Sequence, residues 1–244
     1  MTKIDILAIG VHPDDVELGC AGTLLSHIQM GKKVGILDLT RGELGTRGSA
    51  EIRDREAADA AKMMGAEFRV NLSMADGFFQ YNPENINKII RVIRSCKPEI
   101  VLANALSDRH PDHGRAAKLI ADACFFAGLA KIETLNDSGI SQEKWRPKAV
   151  YHYIQDFNLA PDFVVDISDY MDKKMELVLA FRSQFFAPEA TEYEKEESSP
   201  ISGQDFLEFL RSKARTYGRH AGFDYAEGFN KSRDIGVQNL FDLV

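Results

Sequence analysis

Four short apolar runs punctuate the first half of the chain: Ile4 to Val11, Lys33 to Thr40, Glu67 to Leu72 and Glu99 to Asn104. Their length and their valines, isoleucines and leucines read as strands. The segments between them carry helical periodicity and helix punctuation. Glu17 to Met30 closes on Gly31, and Ser49 caps a helix that runs to Met64 and stops at Gly65. Asn82-Pro83-Glu84 opens a helix to about Cys96, and Gly114 to about Leu129 is a fourth. Strand and helix in strict alternation predict a mostly parallel sheet with helices on both faces, a Rossmann-like, doubly wound α/β fold.

Later segments are less regular. Ala149 to Gln155 and Phe163 to Ile167 read as two more strands, Ser168 as the cap of a helix over Met171 to Phe185. Ser202-Gly203-Gln204-Asp205 has capping-box form before a helix to about Tyr217. Between these helices, Ala187 to Pro200 is acidic, with Glu192, Glu194, Glu196 and Glu197. It reads as a surface loop or as an active-site lid. The last 25 residues, with Gly222, Gly228 and Gly236, fit no element. No repeat or linker divides the chain, so a single domain over 1–244 is expected.

Composition narrows the function. The 244 residues are 44% hydrophobic and 27% charged, ordinary for a globule, and the net charge of −7 argues against a nucleic-acid partner. Cys20, Cys96 and Cys124 have no CxxC spacing and read as reduced core thiols of a cytoplasmic protein. The N-terminus reads as a first strand rather than a signal peptide, and no run is long and apolar enough to span a membrane.

The chemistry sits at the ends of two strands. His12-Pro13-Asp14-Asp15 follows the first and His110-Pro111-Asp112-His113 the fourth. In the common order 3-2-1-4 these strands are neighbours at the switch point, so both clusters would meet in one crevice beyond the carboxyl ends. The loop Arg41 to Arg47 would share that rim. His12 and Asp15, three apart at a strand-to-helix turn, can converge on one ion, with His113 as the third ligand. Two imidazoles, a carboxylate and an open position make a catalytic zinc pattern. Asp14 diverges from Asp15 and is left to take a proton from water, and His110 to stabilise an oxyanion or protonate a leaving amine. Asp112 would orient His110 through its other nitrogen. Either cluster alone serves equally well as a helix cap. His27, His152 and His220 read as packing or surface residues. Gly19-Cys20-Ala21-Gly22 is not GxGxxG and suits close packing of the first helix on the sheet, so a dinucleotide site is rejected.

The stretch His12-Pro13-Asp14-Asp15-Val16-Glu17-Leu18-Gly19-Cys20-Ala21-Gly22-Thr23 resembles the signature of the zinc-dependent de-N-acetylases related to the GlcNAc-phosphatidylinositol deacetylase, the LmbE-like (PIG-L) family. His110-Pro111-Asp112-His113-Gly114 is similar to its downstream motif. Thr40 to Gly48, with Glu51-Ile52-Arg53 and Glu56-Ala57, resembles the branch that deacetylates N-acetyl-glucosaminyl-malate in bacillithiol biosynthesis. The resemblance implies zinc on His12, Asp15 and His113, Asp14 as general base, and His110 as oxyanion stabiliser or acid. Arg53 would reach the sugar or its acidic aglycone, Arg109 would pair with malate carboxylates or serve only as a surface charge, and Tyr193 would replace a tyrosine acid absent at Asp108. It also implies a homo-oligomer, such as a hexamer. Alternatives are a deacetylase of another GlcNAc sugar such as a chitooligosaccharide, an amidase of thiol conjugates, and a non-catalytic metal- or sugar-binding module. A pure binding site would have no use for Asp14.

Overall fold

The computed structural model describes residues 1–187, 189, 190, 193 and 195–243. The anticipated alternation is present: β1 (Ile6–Gly10), α1 (Asp15–Gln29), β2 (Val34–Thr40), α2 (Ala50–Met64), β3 (Phe68–Met74), α3 (Pro83–Cys96), β4 (Ile100–Ala103) and α4 (Pro111–Ala127). β5 (Ala149–Tyr153), β6 (Phe163–Asp166), α5 (Met171–Leu179), α6 (Gln204–Ala221) and β7 (Ala226–Lys231) follow. One sheet runs in the order β3-β2-β1-β4-β5-β7-β6, and β3 through β5 are parallel. β7 runs antiparallel to both β5 and β6.

The two faces of β1 explain its unbroken apolar run. Leu7 and Ile9 point into a core with Ile89, Ile90 and Ile93 of α3 and Leu119 and Ile120 of α4. Ile6 and Ala8 point the other way, against Val16, Cys20 and Leu24 of α1 and Met64 of α2. A strand buried on both faces loses the polar alternation of a half-exposed one. The caps also match: Ser49 Oγ accepts from the Ile52 amide, Asn82 Oδ1 from the Asn85 amide. All three cysteines are buried and unpaired. No helix among the described residues is long and apolar enough to cross a membrane.

Three expectations need correction. The helix expected to reach Phe185 ends at Leu179, where turns carry the buried Ser183 and Gln184 to hydrogen bonds with Glu56 and the Arg47 carbonyl. It is preceded by a 3-10 turn, and Ser168 bonds Asp166 and the amides of Asp224 and Tyr225 instead of capping it. The capping box does not form: Gly203 occupies the N-cap and the Ser202 hydroxyl bonds Ser199. The unassigned C-terminal region supplies β7. Its pattern was illegible because Glu227 is buried, accepting from the Gly22 and Thr23 amides and pairing with Lys174 at 2.6 Å.

Gly19 and Gly22 let α1 lie close to the sheet. A Cβ at Gly19 would sit 2.2 Å from the Tyr153 ring, which is fully buried and held by its hydroxyl to the Ile9 carbonyl at 2.8 Å. Alanine gains about 1 kcal/mol in helix propensity, but overpacking a ring that cannot yield costs roughly 1–3 kcal/mol. Gly19→Ala is therefore expected to lower the denaturant midpoint; an unchanged or raised midpoint would refute this packing argument.

Candidate active site

β1 and β4 are adjacent and parallel, so the turns after them open on one edge of the sheet. The two clusters meet there. Ring centroids of His12 and His110 lie 4.7 Å apart, those of His12 and His113 5.6 Å, and those of His110 and His113 5.2 Å. The loop after β2, Asp76 beyond β3 and Gln155 beyond β5 complete the rim.

α1 begins at Asp15, and Asp14 just before it holds a φ of 132°, a conformation that costs a non-glycine residue about 1–3 kcal/mol. The twist turns its carboxylate away from Asp15 and onto Arg53, which also donates to the Pro13 carbonyl at 3.1 Å. Arg53 can reach in because of Gly42, whose φ is 65° and where a Cβ would lie 2.0 Å from the guanidinium. Burial pushes the Asp14 carboxyl up to about 6, against the charge of Arg53.

Asp15 is fixed by the His12 amide (2.9 Å), Asn104 Nδ2 (2.9 Å) and Gln155 Nε2 (2.8 Å). Its carboxylate faces two imidazole nitrogens, His113 Nε2 at 3.2 Å and His12 Nδ1 at 3.7 Å. The other nitrogen of each ring rests on a carboxylate: His12 Nε2 on Asp76 at 3.0 Å, with Asp112 at 3.5 Å, and His113 Nδ1 on Asp108 at 2.5 Å. Histidines that hold metals are ordinarily backed in this way. His110 differs. Its Nδ1 accepts from the Asp112 amide at 3.3 Å, although the ligand nitrogens of His12, His110 and His113 all lie within 4.8 Å of one another.

The electrostatics suit a cation. Burial opposes charge on His12, yet Asp112, Asp76 and Asp15 push its pKa up to about 10. Burial likewise opposes charge on His113, and Asp15 and Asp108 push it up to about 9. Burial alone would raise Asp15; His113 and His12 hold it well below the usual range. Carboxylates that force two buried imidazoles to bind protons leave charge room for a divalent ion in place of those protons. The donor types are those of zinc. His110 moves the other way: burial, then His12 and His113, lower its pKa.

The remaining expected residues fall as follows. The Asp112 carboxylate does not orient His110; it accepts from the Gly77 amide at 2.9 Å and pairs with Arg115, because its side chain points back over the loop after β3. Arg53 lines the cavity but is buried against Asp14, and Arg109 pairs with Asp156. The Tyr193 carbonyl accepts from Arg47 at 3.3 Å, and Glu196 accepts from the Gly48 amide at 2.9 Å, so these two residues lie against the loop after β2. Glu192 and Glu194 lie outside the described residues. His27 bonds the Thr23 carbonyl, His152 bonds the Asn104 carbonyl and Ser232, and His220 is exposed. Sequence reasoning missed Asp76, Asn104 and Gln155. All three lie at or just beyond the carboxyl end of a strand, and that position was the available signal.

The cluster lines a cavity of about 330 Å³, at the small end of the range for ligand sites. Phe206, Phe209, Leu210, Lys213 and Tyr217 of α6 line the same cavity.

A family model described as the GlcNAc-PI de-N-acetylase family, PIG-L, matches residues 7–124, a span that holds both clusters. The chain is similar to the diacetylchitobiose deacetylase of Thermococcus kodakarensis, 32% identical over 91% of this chain and 81% of that protein. It is also similar to the Bacillus anthracis protein named "Probable N-acetyl-alpha-D-glucosaminyl L-malate deacetylase 2", 27% identical over 78% of this chain and 85% of that one. Among solved structures, the conserved protein TT1542 from Thermus thermophilus superposes with a TM-score of 0.82 at 36% identity, covering 96% of this chain and 98% of that one.

Proposed function

Because the chain belongs to the PIG-L, or LmbE-like, family of de-N-acetylases, we propose that it hydrolyses the acetamide of an N-acetylglucosamine conjugate, with zinc held by His12, Asp15 and His113. One observation carries the reading: two imidazoles face the Asp15 carboxylate, and each is backed by a carboxylate of its own. When bound, zinc supplies a Lewis acid for the amide carbonyl and lowers the pKa of water to about 7.

The chain's own residues do the rest. Asp14 takes the proton of the attacking water; its carboxyl, raised to about 6, is matched to proton transfer near neutral pH. Arg53 keeps that carboxylate aimed and the strained turn in place. On His110, the Asp112 amide occupies Nδ1, so the ring carries its proton on Nε2. An N–H donor is what a developing oxyanion needs, and the proton that Asp14 has taken from water can pass to the leaving nitrogen as the C–N bond breaks. The products are acetate and a free amine.

Two identities of the conjugate are open to this site. The loop after β2 favours a malate glycoside, as in bacillithiol biosynthesis; the similarity to a diacetylchitobiose deacetylase over 91% of the chain favours a second sugar. The exposed apolar side chains of Leu44, Phe78 and Leu106 support a homo-oligomer. The test is amine release from GlcNAc-malate, N,N'-diacetylchitobiose and GlcNAc, with chelator and with zinc restored. Release from a conjugate faster than from GlcNAc, lost on chelation and regained with zinc, is expected. No release from any of the three, or release indifferent to chelation, would overturn the reading.

A further inference from the structure

Four lysine and arginine side chains line the cavity, and three are committed. Arg53 pairs with Asp14, Arg109 with Asp156, and Lys174 with Glu227. Lys213, on α6, has no carboxylate within ion-pair distance among the described residues. Its ammonium makes one long hydrogen bond, 3.3 Å to the Phe157 carbonyl, and lies 5.6 Å from the centre of the Phe209 ring. The carboxylates whose fields reach it are already engaged: Asp108 accepts from the Phe157 amide and holds His113, and Asp156 pairs with Arg109.

A half-buried ammonium without a counter-ion is costly, and three donors with one weak acceptor leave it under-satisfied. Burial lowers its pKa to about 8, which still leaves most of it charged at neutral pH. The apolar wall would strengthen any anion contact made there by excluding water. The position fits an aglycone, because Lys213 lines the same cavity as the reacting groups but from a separate element, α6, with the Phe157 backbone between it and the Asp108 that holds His113.

We propose that Lys213 is the specificity residue that selects a substrate with a negatively charged aglycone, the proposal resting on the deacetylase reading of this site. It distinguishes the two conjugates by charge: a malate glycoside would supply the missing counter-ion and a second neutral sugar would not.

Binding separates this proposal from the reaction itself. Calorimetry with the deacetylated sugars glucosaminyl-malate and methyl glucosaminide reads the contact without turnover. A charge-assisted contact predicts that the zinc-loaded protein binds the malate glycoside about 10- to 100-fold tighter. Lys213→Met is expected to erase that preference and leave methyl glucosaminide binding within about twofold, and Lys213→Arg to retain most of it. The preference lost only in Lys213→Met supports the assignment whether or not acetyl is released. No preference in the unaltered protein, or an equal loss for both sugars in Lys213→Met, overturns it.

Discussion

Asp14→Asn is expected to keep its zinc and lose about 100- to 10,000-fold in kcat, the range a general base contributes. The substitution is nearly isosteric. Its amide oxygen can still accept from Arg53, so the turn at φ 132° keeps its holder. The proton acceptor is gone, and nothing nearby replaces it: Asp15 is saturated by His12, Asn104 and Gln155, and His110 is held as a donor by the Asp112 amide. Zinc content by elemental analysis, together with kcat, separates this from loss of the metal. A variant that turns over within fivefold of the parent would remove Asp14 from its assigned role. A variant that has lost zinc would make it a fourth contributor to the metal site.

Arg69→Met is expected to cost roughly 3–5 kcal/mol of stability, the usual result of breaking a buried ion network by removing one member. Arg69 donates to Asp38 through two nitrogens, at 2.7 and 2.9 Å, and to Glu17 at 2.7 Å. Both acids are buried, and burial already raises the pKa of each against the pull of Arg69. Without the guanidinium both must bind protons or stay charged with no partner. At about 2–4 °C per kcal/mol for a chain of this size, Tm should fall by roughly 6–20 °C. The triple change Glu17→Gln, Asp38→Asn, Arg69→Met should recover much of that fall, because it removes the charges together. A Tm within 2 °C of the parent in the single variant would show that the network contributes little.

These residues also mark what the order of amino acids can and cannot disclose. β1 to β4 and their helices were legible because β1 and β2 are apolar runs buried on both faces, and α2 and α3 carry their own caps, Ser49 and Asn82. β7 was not, because its buried glutamate is stabilised by Lys174 and by amides of α1, partners more than fifty and two hundred residues away. The same division runs through the site. His12, Asp14, Asp15, His110 and His113 declare themselves by local spacing after strands. Asp76, Asn104 and Gln155 belong to three separate strand ends and look like ordinary polar residues until the sheet closes. Asp112 stood out by sequence, yet its neighbours beyond β3 turn its carboxylate away from His110.

The sequence by itself determined the parallel architecture, the candidate site residues after β1 and β4 and the family, since each depends on short-range pattern and on strand ends that a parallel sheet must bring to one edge. Only the tertiary structure decided which carboxylate backs which imidazole, that Arg53 pairs with Asp14, and that Lys213 lines the cavity without a counter-ion among the described residues. Those are contacts between distant segments, set by how helices and loops pack on the sheet, and no local propensity encodes them.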